Sequence, residues 1–368
     1  MFDFYRNSGI HTFELECPLC YDLYQTMREN LFILSRAASS RFFRKGNYYK
    51  CETYSEHGIS ILLNPSLLKL IINPSRLIKA DDFIGLYAPN RHNVIPKELP
   101  HKLRPYLEPF LPYEIYPRLS VSRVDYTIDV LLPSDKYVLL MIKLAKKNGL
   151  PRGFEETYPA KIRNSPNFNN SFSYDVSHTS GAFRVTLYAK HKQLLSRKNI
   201  PQNMLDGTEG LLRSEVSCRF AKNDIPFCQD KGLDNLFTPE RLISIYQDAI
   251  PQLFPYGAYL KSPMAKALIA KYYHRQRTLK KHLLDFLDSI ITCHSFHDGY
   301  KRLRNKNIPK KTLLESFYNI GVSPVTIAVN DKIPCLPSIY SLLHLPNPYA
   351  ELEKSMADIE KQDPFHYN

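Results

Sequence analysis

The chain has 368 residues, enough for two or three domains, and its 43% hydrophobic content is that of a globular protein. Its 49 Lys and Arg against 36 Asp and Glu give a net charge of +13 and a pI near 9.2, a balance that points to a polyanionic partner such as nucleic acid or, in another class, to a basic membrane-surface protein. No apolar run approaches the roughly 18 residues of a spanning helix, and Met1-Phe2-Asp3-Phe4-Tyr5-Arg6 lacks the basic region and apolar core of a signal peptide, so no membrane is expected and the cytoplasm is the expected compartment. Seven scattered cysteines exclude a disulfide framework, and Cys17-Pro18-Leu19-Cys20 has the spacing of half a zinc or redox site without a second pair to complete it.

In chain order, Tyr21 to Leu34 places Leu23, Met27, Leu31 and Leu34 at helical spacing. Tyr48 to Tyr54 and Gly58 to Leu63 read as strands turning through Glu56-His57-Gly58, and Leu67 to Ile72 follows as a third strand between two Asn-Pro-Ser turns. The prolines from Arg104 to Pro112 rule out one long helix there. From Leu119 the alternation sharpens, with Val121, Arg123, Asp125, Thr127 and Asp129 on one face of a strand and Val124, Tyr126, Ile128 and Val130 on the other. Ser134 is placed to cap a helix from Asp135 to Asn148 that stops at Gly149. Residues 151 to 171 read as a long loop. Phe172 to Val176 and Phe183 to Ala189 form a hairpin through Thr179-Ser180-Gly181, and Gly210 to Phe220 is a further strand with Arg213, Glu215, Ser217 and Arg219 facing one way.

After about residue 235 the pattern turns helical, at Pro239 to Tyr246, Ser262 to Tyr273, Thr278 to Ile291 and Lys311 to Asn319. The run from Lys271 to Lys281 interleaves aromatics with Lys271, Arg275, Arg277, Lys280 and Lys281, as a DNA-binding surface or a solvated helical face would.

The chemistry is concentrated at Phe183 to Leu194, where alternation puts Arg184, Thr186, Tyr188 and Lys190 on one face and His191 follows at once. A tyrosine among cations can attack phosphorus, provided a base, a cation or a metal offsets a phenol pKa of about 10. The phosphate loops of nucleotide-binding enzymes, the Gly-x-Ser-x-Gly elbow and the His-Glu-x-x-His zinc motif are all missing, as is a His-hydrophobic-His pair. Asp125, Asp129 and Glu215 are hard oxygen ligands that suit Mg²⁺ or Mn²⁺. They are equally able to form salt bridges, Asp125 with Arg123 or Arg213 and Glu215 with Arg219.

The order of three segments, Ser122-Arg123-Val124-Asp125-Tyr126-Thr127, then Leu187-Tyr188-Ala189-Lys190-His191 with Leu194, then Leu212-Arg213-Ser214-Glu215, resembles the replication initiators of filamentous phages, the gene II proteins and their plasmid and prophage relatives. Asn73-Pro74-Ser75-Arg76-Leu77-Ile78 adds to the likeness. The resemblance implies that Tyr188 is a nicking nucleophile, that Asp125 and Glu215 hold the divalent cation, that Lys190 steadies the phosphate charge and that His191 is a ligand or acid/base. The chain departs from the family at Gln193, where an acidic residue is common, and Asp129 is not a family-typical position. The implied fold is α+β: an antiparallel-sheet nicking domain, ferredoxin-like in one copy or duplicated, over residues 1–235, a helical, basic DNA-binding domain over 236–350 and a tail over 351–368. The implied activity is rolling-circle initiation in a bacterial host, with nicking of one strand of duplex origin DNA, a 5′-phosphotyrosine, a free 3′-hydroxyl and later rejoining. Duplex and single-stranded DNA, with host helicase and polymerase, are the implied partners, and Arg123, Arg184 and Arg213 join the helical cations as DNA contacts. The alternatives are a sequence-specific DNA-binding regulator without chemistry, and a relaxase or transposase with the same tyrosine chemistry.

Overall fold

The computed structural model of the chain describes residues 6–80, 82, 84–88, 98–157, 172–196, 200, 202–220, 227, 235–303 and 308–346. Its architecture is α+β, built on one ten-stranded antiparallel sheet. Strand β1 (Arg6–Pro18) leads into helix α1 (Tyr21–Ala37), and the chain returns as a meander of β2 (Phe42–Lys45), β3 (Tyr48–Cys51), β4 (Ile59–Asn64) and β5 (Leu67–Ile72), the last of which pairs with β1. Helices α2 (Pro74–Ile78) and α3 (Leu99–Leu107) follow; α3 tolerates Pro105 but ends before Pro112. Strand β6 (Ser120–Leu131) pairs with β1, and helix α4 (Asp135–Lys147) then leads to β7 (Phe154–Glu156), β8 (Ser173–His178) and β9 (Phe183–Ala189). After α5 (Lys190–Leu195) and α6 (Gln202–Leu205), β10 (Leu211–Arg219) closes back onto β6.

The strand order β2-β3-β4-β5-β1-β6-β10-β9-β8-β7 is therefore one plan used twice, a strand, a helix and a returning meander, with the two copies joined at β1 and β6. The sheet is antiparallel as expected, every described pairing of its ten strands being antiparallel; the ferredoxin-like arrangement stays what the resemblance implies.

An antiparallel sheet can leave one face polar, and period-two alternation does so here. On the apolar face Phe13, Leu15 and Cys17 of β1, Leu68, Leu70 and Ile72 of β5, Val124, Tyr126 and Ile128 of β6, and Val216 of β10 are all buried. Helices α1, α4 and α7 (Pro239–Leu253) touch strands of the sheet. The remaining chain forms α8 (Ser262–Tyr272), α9 (Arg277–Cys293), α10 (Phe296–Arg302), α11 (Lys310–Asn319) and α12 (Ile339–Leu342), with a small ribbon of β11 (Tyr259–Leu260) and β12 (Cys335–Leu336). The apolar core continues from the sheet into these helices, from Ile10 to Leu345, without a break near residue 235.

Some local expectations change. Ser134 stands at the N-cap of α4 but its side chain makes no capping bond, while Asn73 caps α2 by accepting from the Arg76 amide. Helix α7 runs on past Tyr246 to Leu253. Cys17 is buried and Cys20 exposed, both as free thiols. Among the described residues no helix is long and apolar enough to cross a membrane. Most of the expected loop after Thr157 and the tail over 351–368 lie outside the described residues.

Tyr246 ties α7 to the sheet directly behind the polar face, its buried hydroxyl donating to the carbonyl of Ser214 at 2.6 Å. Tyr246→Phe keeps the ring but leaves that carbonyl without its donor, and should cost about 1–2 kcal/mol. Urea titration should show a lower midpoint at unchanged slope.

Candidate active site

The polar face gathers its chemistry in three cross-strand rows. Asp129 of β6 stands opposite Arg213 of β10, which stands opposite Tyr188 of β9. In the next row Thr127, Glu215, Thr186 and Asp175 line up, and in the third Asp125, Ser217, Arg184 and Ser177. Diagonal neighbours on a sheet lie within reach of long side chains. Accordingly the Tyr188 hydroxyl donates to Glu215 Oε1 at 2.6 Å.

His11 completes this pair. Between Ile10, opposite Tyr126, and Thr12, opposite Asp125, the β1 ladder carries one extra residue, and it is His11. A bulge of this kind re-aims a side chain. Here both His11 and Thr12 turn to the polar face, His11 Nδ1 lying 3.1 Å from Glu215 Oε1 and the Thr12 hydroxyl donating to Asp125 Oδ2. His11, Tyr188, Glu215, Asp125, Arg123 and Arg184 line one cavity of about 250 Å³, whose wall also includes Gln193.

The electrostatics of the pair are asymmetric. Burial alone would raise the Glu215 carboxyl, but the charge and hydrogen bond of His11, the charge of Arg213 and the Tyr188 hydroxyl together hold it well below the usual carboxylate range. Burial and then the Glu215 charge push the Tyr188 phenol well above its ordinary value, against a smaller opposing effect of Arg213. The phenol thus holds its proton at neutral pH and points it at an ionised carboxylate.

Beneath Tyr188, Arg213 Nε and Nη2 each lie 2.7 Å from an oxygen of Asp129, and Nη2 also donates to the Ile84 carbonyl at 2.6 Å. Neither side chain is more than 2% exposed. Burial would lower the arginine's pKa, but Asp129 outweighs it, so the guanidinium stays charged. The segment from Ile84 to Tyr87 passes over this corner of the sheet, bridging Ile10 through Tyr87. It passes so near Gly9 that a Cβ there would meet the Tyr87 carbonyl oxygen at 2.4 Å. Arg213, expected to contact DNA, is corrected to a buried support.

The cavity's cations are Arg184 and Arg123. Arg184 is held bidentately by the buried Asp175, which also accepts from Thr157 at 2.8 Å, yet its side chain remains 42% exposed. Arg123 lies between Glu14 and Asp125. Its Nε is 3.1 Å from Asp125 Oδ1 but is not aligned for a hydrogen bond, so that buried oxygen accepts none.

Asp125 Oδ1 and the Glu215 carboxylate are donors of the kind Mg²⁺ and Mn²⁺ take. Among the described residues no three His, Cys, Asp or Glu side chains converge as a ready cluster. Mg²⁺ commonly makes do with one or two carboxylates, waters and substrate phosphate, and this donor set fits that pattern.

Two other expected residues stand apart. Strand β9 ends at Ala189, and α5 begins with Lys190, so the strand alternation does not carry through it. Lys190 is 1% exposed, with Nζ donating to Gln193 Oε1 at 3.1 Å, and it does not line the cavity. His191 Nδ1 sits 2.9 Å from Asp135 Oδ2 and is likewise outside the cavity. The imidazole beside Glu215 is that of His11. Lys271, Arg275, Arg277, Lys280 and Lys281 occupy the end of α8, the turn and the start of α9; Lys271, Arg275, Arg277 and Lys281 are exposed and Lys280 is half-buried. Sequence reading missed His11, Thr12 and Asp175; the one available signal was the polar residues of 173–178 alternating with Tyr174 and Val176.

No family model and no curated protein matches this chain. Among solved structures it is similar to a rolling circle replication initiator protein from Geobacillus stearothermophilus, at 11% identity and a TM-score of 0.31, over 88% of this chain and 100% of that one.

Two outcomes follow from the geometry. Asp129→Ala leaves the Arg213 charge buried without its partner and should cost about 3–5 kcal/mol, read by chemical denaturation. Glu215, ionised in the folded state below its unfolded pKa of about 4.3, adds stability that is complete above that value and is lost as pH falls through and below it. Melting temperature measured from pH 7 down to pH 3 should therefore fall more steeply for the wild type than for Glu215→Gln.

Proposed function

We propose that the chain is a rolling-circle replication initiator that nicks one strand of duplex origin DNA with Tyr188 as nucleophile. The observation that carries the reading is the Tyr188 hydroxyl aimed at the ionised Glu215 in a cavity walled by Arg184 and Arg123. In the proposed step the Tyr188 oxygen attacks a phosphodiester phosphorus in line. The bond from phosphorus to the 3′ oxygen breaks, the 5′ phosphate stays on Tyr188, and the departing oxygen takes a proton to become a 3′-hydroxyl. Reversal with a 3′-hydroxyl rejoins the strand.

Each side chain has a part set by its place. Glu215 receives the phenol proton as the oxygen–phosphorus bond forms, and His11 shares the charge of that carboxylate. Arg184, already oriented by Asp175, and Arg123 face the phosphate oxygens, where charge develops. Thr12 holds Asp125 in place. A carboxylate held this low is a weak base and a phenol held this high a reluctant acid. A Mg²⁺ or Mn²⁺ held by Glu215 and Asp125 would supply positive charge that favours the phenolate and polarises the phosphate.

A second reading, a DNA-binding regulator without chemistry, is favoured by the exposed cations on the turn between α8 and α9; a relaxase or transposase would share the tyrosine step. Tyr188→Phe separates chemistry from binding. Incubation with supercoiled DNA carrying the candidate origin, with Mg²⁺, then denaturation and mass spectrometry, should identify a DNA-linked peptide containing Tyr188, absent in Tyr188→Phe and in EDTA. An adduct that persists undiminished in Tyr188→Phe, or that maps to another tyrosine, would overturn the assignment.

A further inference from the structure

The stretch Arg41-Phe42-Phe43-Arg44-Lys45-Gly46-Asn47-Tyr48-Tyr49-Lys50 holds four cations, four aromatic rings and no acid. It is the β2–β3 hairpin, at the edge of the sheet farthest from β7. Register divides its side chains cleanly. Phe43 pairs with Lys50, Lys50 with Leu62, Leu62 with Lys69 and Lys69 with Glu16, so Phe43 and Lys50 stand on the polar face that also holds the cavity. Lys45 and Tyr48, paired with each other two residues on, share that face.

The opposite face is fastened down. Phe42 stacks on Tyr49 at 5.4 Å, Arg28 of α1 lies 5.4 Å over the Tyr49 ring, and Phe32 of α1 meets Phe42 edge-on. The hairpin is thus a braced element that offers Phe43 and Tyr48, each half-buried, beside the exposed Arg41 and Lys45. Arg41 and Lys50 both lie over the Phe43 ring, at 5.4 and 6.0 Å, and both pair with Glu52, at 2.6 and 2.7 Å. Rings set beside cations are what single-stranded nucleic acid needs, because every base has a face to stack and every nucleotide a phosphate. A duplex would take the cations but leave the rings unused.

We propose that this hairpin is a grip for single-stranded DNA, holding the strand that leaves the Tyr188 cavity across the same face of the sheet. The inference rests on the nicking reading for which strand is held. Six strand spacings separate β3 from β9, which carries Tyr188, roughly 29 Å at about 4.8 Å per step.

The test uses the full chain, a fluorescein-labelled oligo-dT of about twenty nucleotides and a duplex of equal length. By anisotropy, Phe43→Ala/Tyr48→Ala should weaken oligo-dT binding about tenfold or more and duplex binding less than twofold. Phe43→Tyr/Tyr48→Phe should bind like wild type. Lys45→Ala, at an exposed position, should lower the slope of log affinity against log salt by about 0.7. Unchanged oligo-dT affinity in both alanine variants, with the proteins folded by circular dichroism, overturns the grip and leaves the cations as protection of an edge strand. Equal loss for duplex and single strand overturns it too. The two readings fail separately: an adduct at Tyr188 with oligo-dT binding unmoved removes the grip alone, and no adduct with oligo-dT binding lost removes the nicking alone.

Discussion

The ion pair of Asp129 and Arg213 sets the terms for the polar face. Two charges taken out of water are stable only when each satisfies the other in good geometry, and the fork of Arg213 meets both oxygens of Asp129 at 2.7 Å. That demand fixes more than one contact. A slip of one residue between β6 and β10 would send one partner into the apolar layer under α7, so the pair pins the register that also sets Glu215 beside Tyr188. The carbonyl of Ile84 accepts from Nη2 and brings a loop over the corner, which closes this cation to solvent, although Nη1 is buried without a hydrogen-bond partner.

Above this support the site is a contest over one proton. Glu215 is surrounded by donors and cations that favour its charge, and that charge in turn raises the phenol it touches. The two pKa values are driven apart by the same contact, leaving a ground state that is stable and unreactive. Reactivity then depends on what enters the cavity. Positive charge arriving near Glu215 would weaken the carboxylate's hold on the phenol proton, so substrate and cation binding are coupled to activation of the nucleophile.

How much of this was legible in the sequence depended on whether local periodicity survived. Strand β6 alternates without interruption from Val124 to Val130, and Asp125 and Asp129 were read onto the correct face. Helices α8, α9 and α11 kept their three-and-four spacing and appeared close to their observed bounds, as did α1, whereas the short α10 was not read. Strand β1 was not legible, because the bulge sets Ile10 and Phe13, both buried, three residues apart and breaks the period of two. His11 was lost with it. Lys190 and His191 were misplaced for the opposite reason: alternation was carried past Ala189 into a helix that begins at once. Arg213 was put on the right face, but nothing local shows that a segment more than a hundred residues away covers it. The β2 strand is only four residues long, too short for any periodicity to declare itself.

The seam between the two copies of the strand plan has a consequence for how the molecule comes to be. Thr12 and Asp125, which meet across it, are separated by 113 positions, and His11 and Glu215 by more. Closing so long a loop costs entropy before any contact returns it, and pairings of that range form slowly. The second copy, from β6 to β10, contains Asp125, Tyr188, Glu215 and the buried ion pair within the 100 residues from Ser120 to Arg219. During synthesis β1 emerges first but waits for β6 before it can take its central place. The imidazole beside Glu215 therefore arrives by the docking of an early strand onto a late one, and a half-folded chain would hold the tyrosine and carboxylate without it.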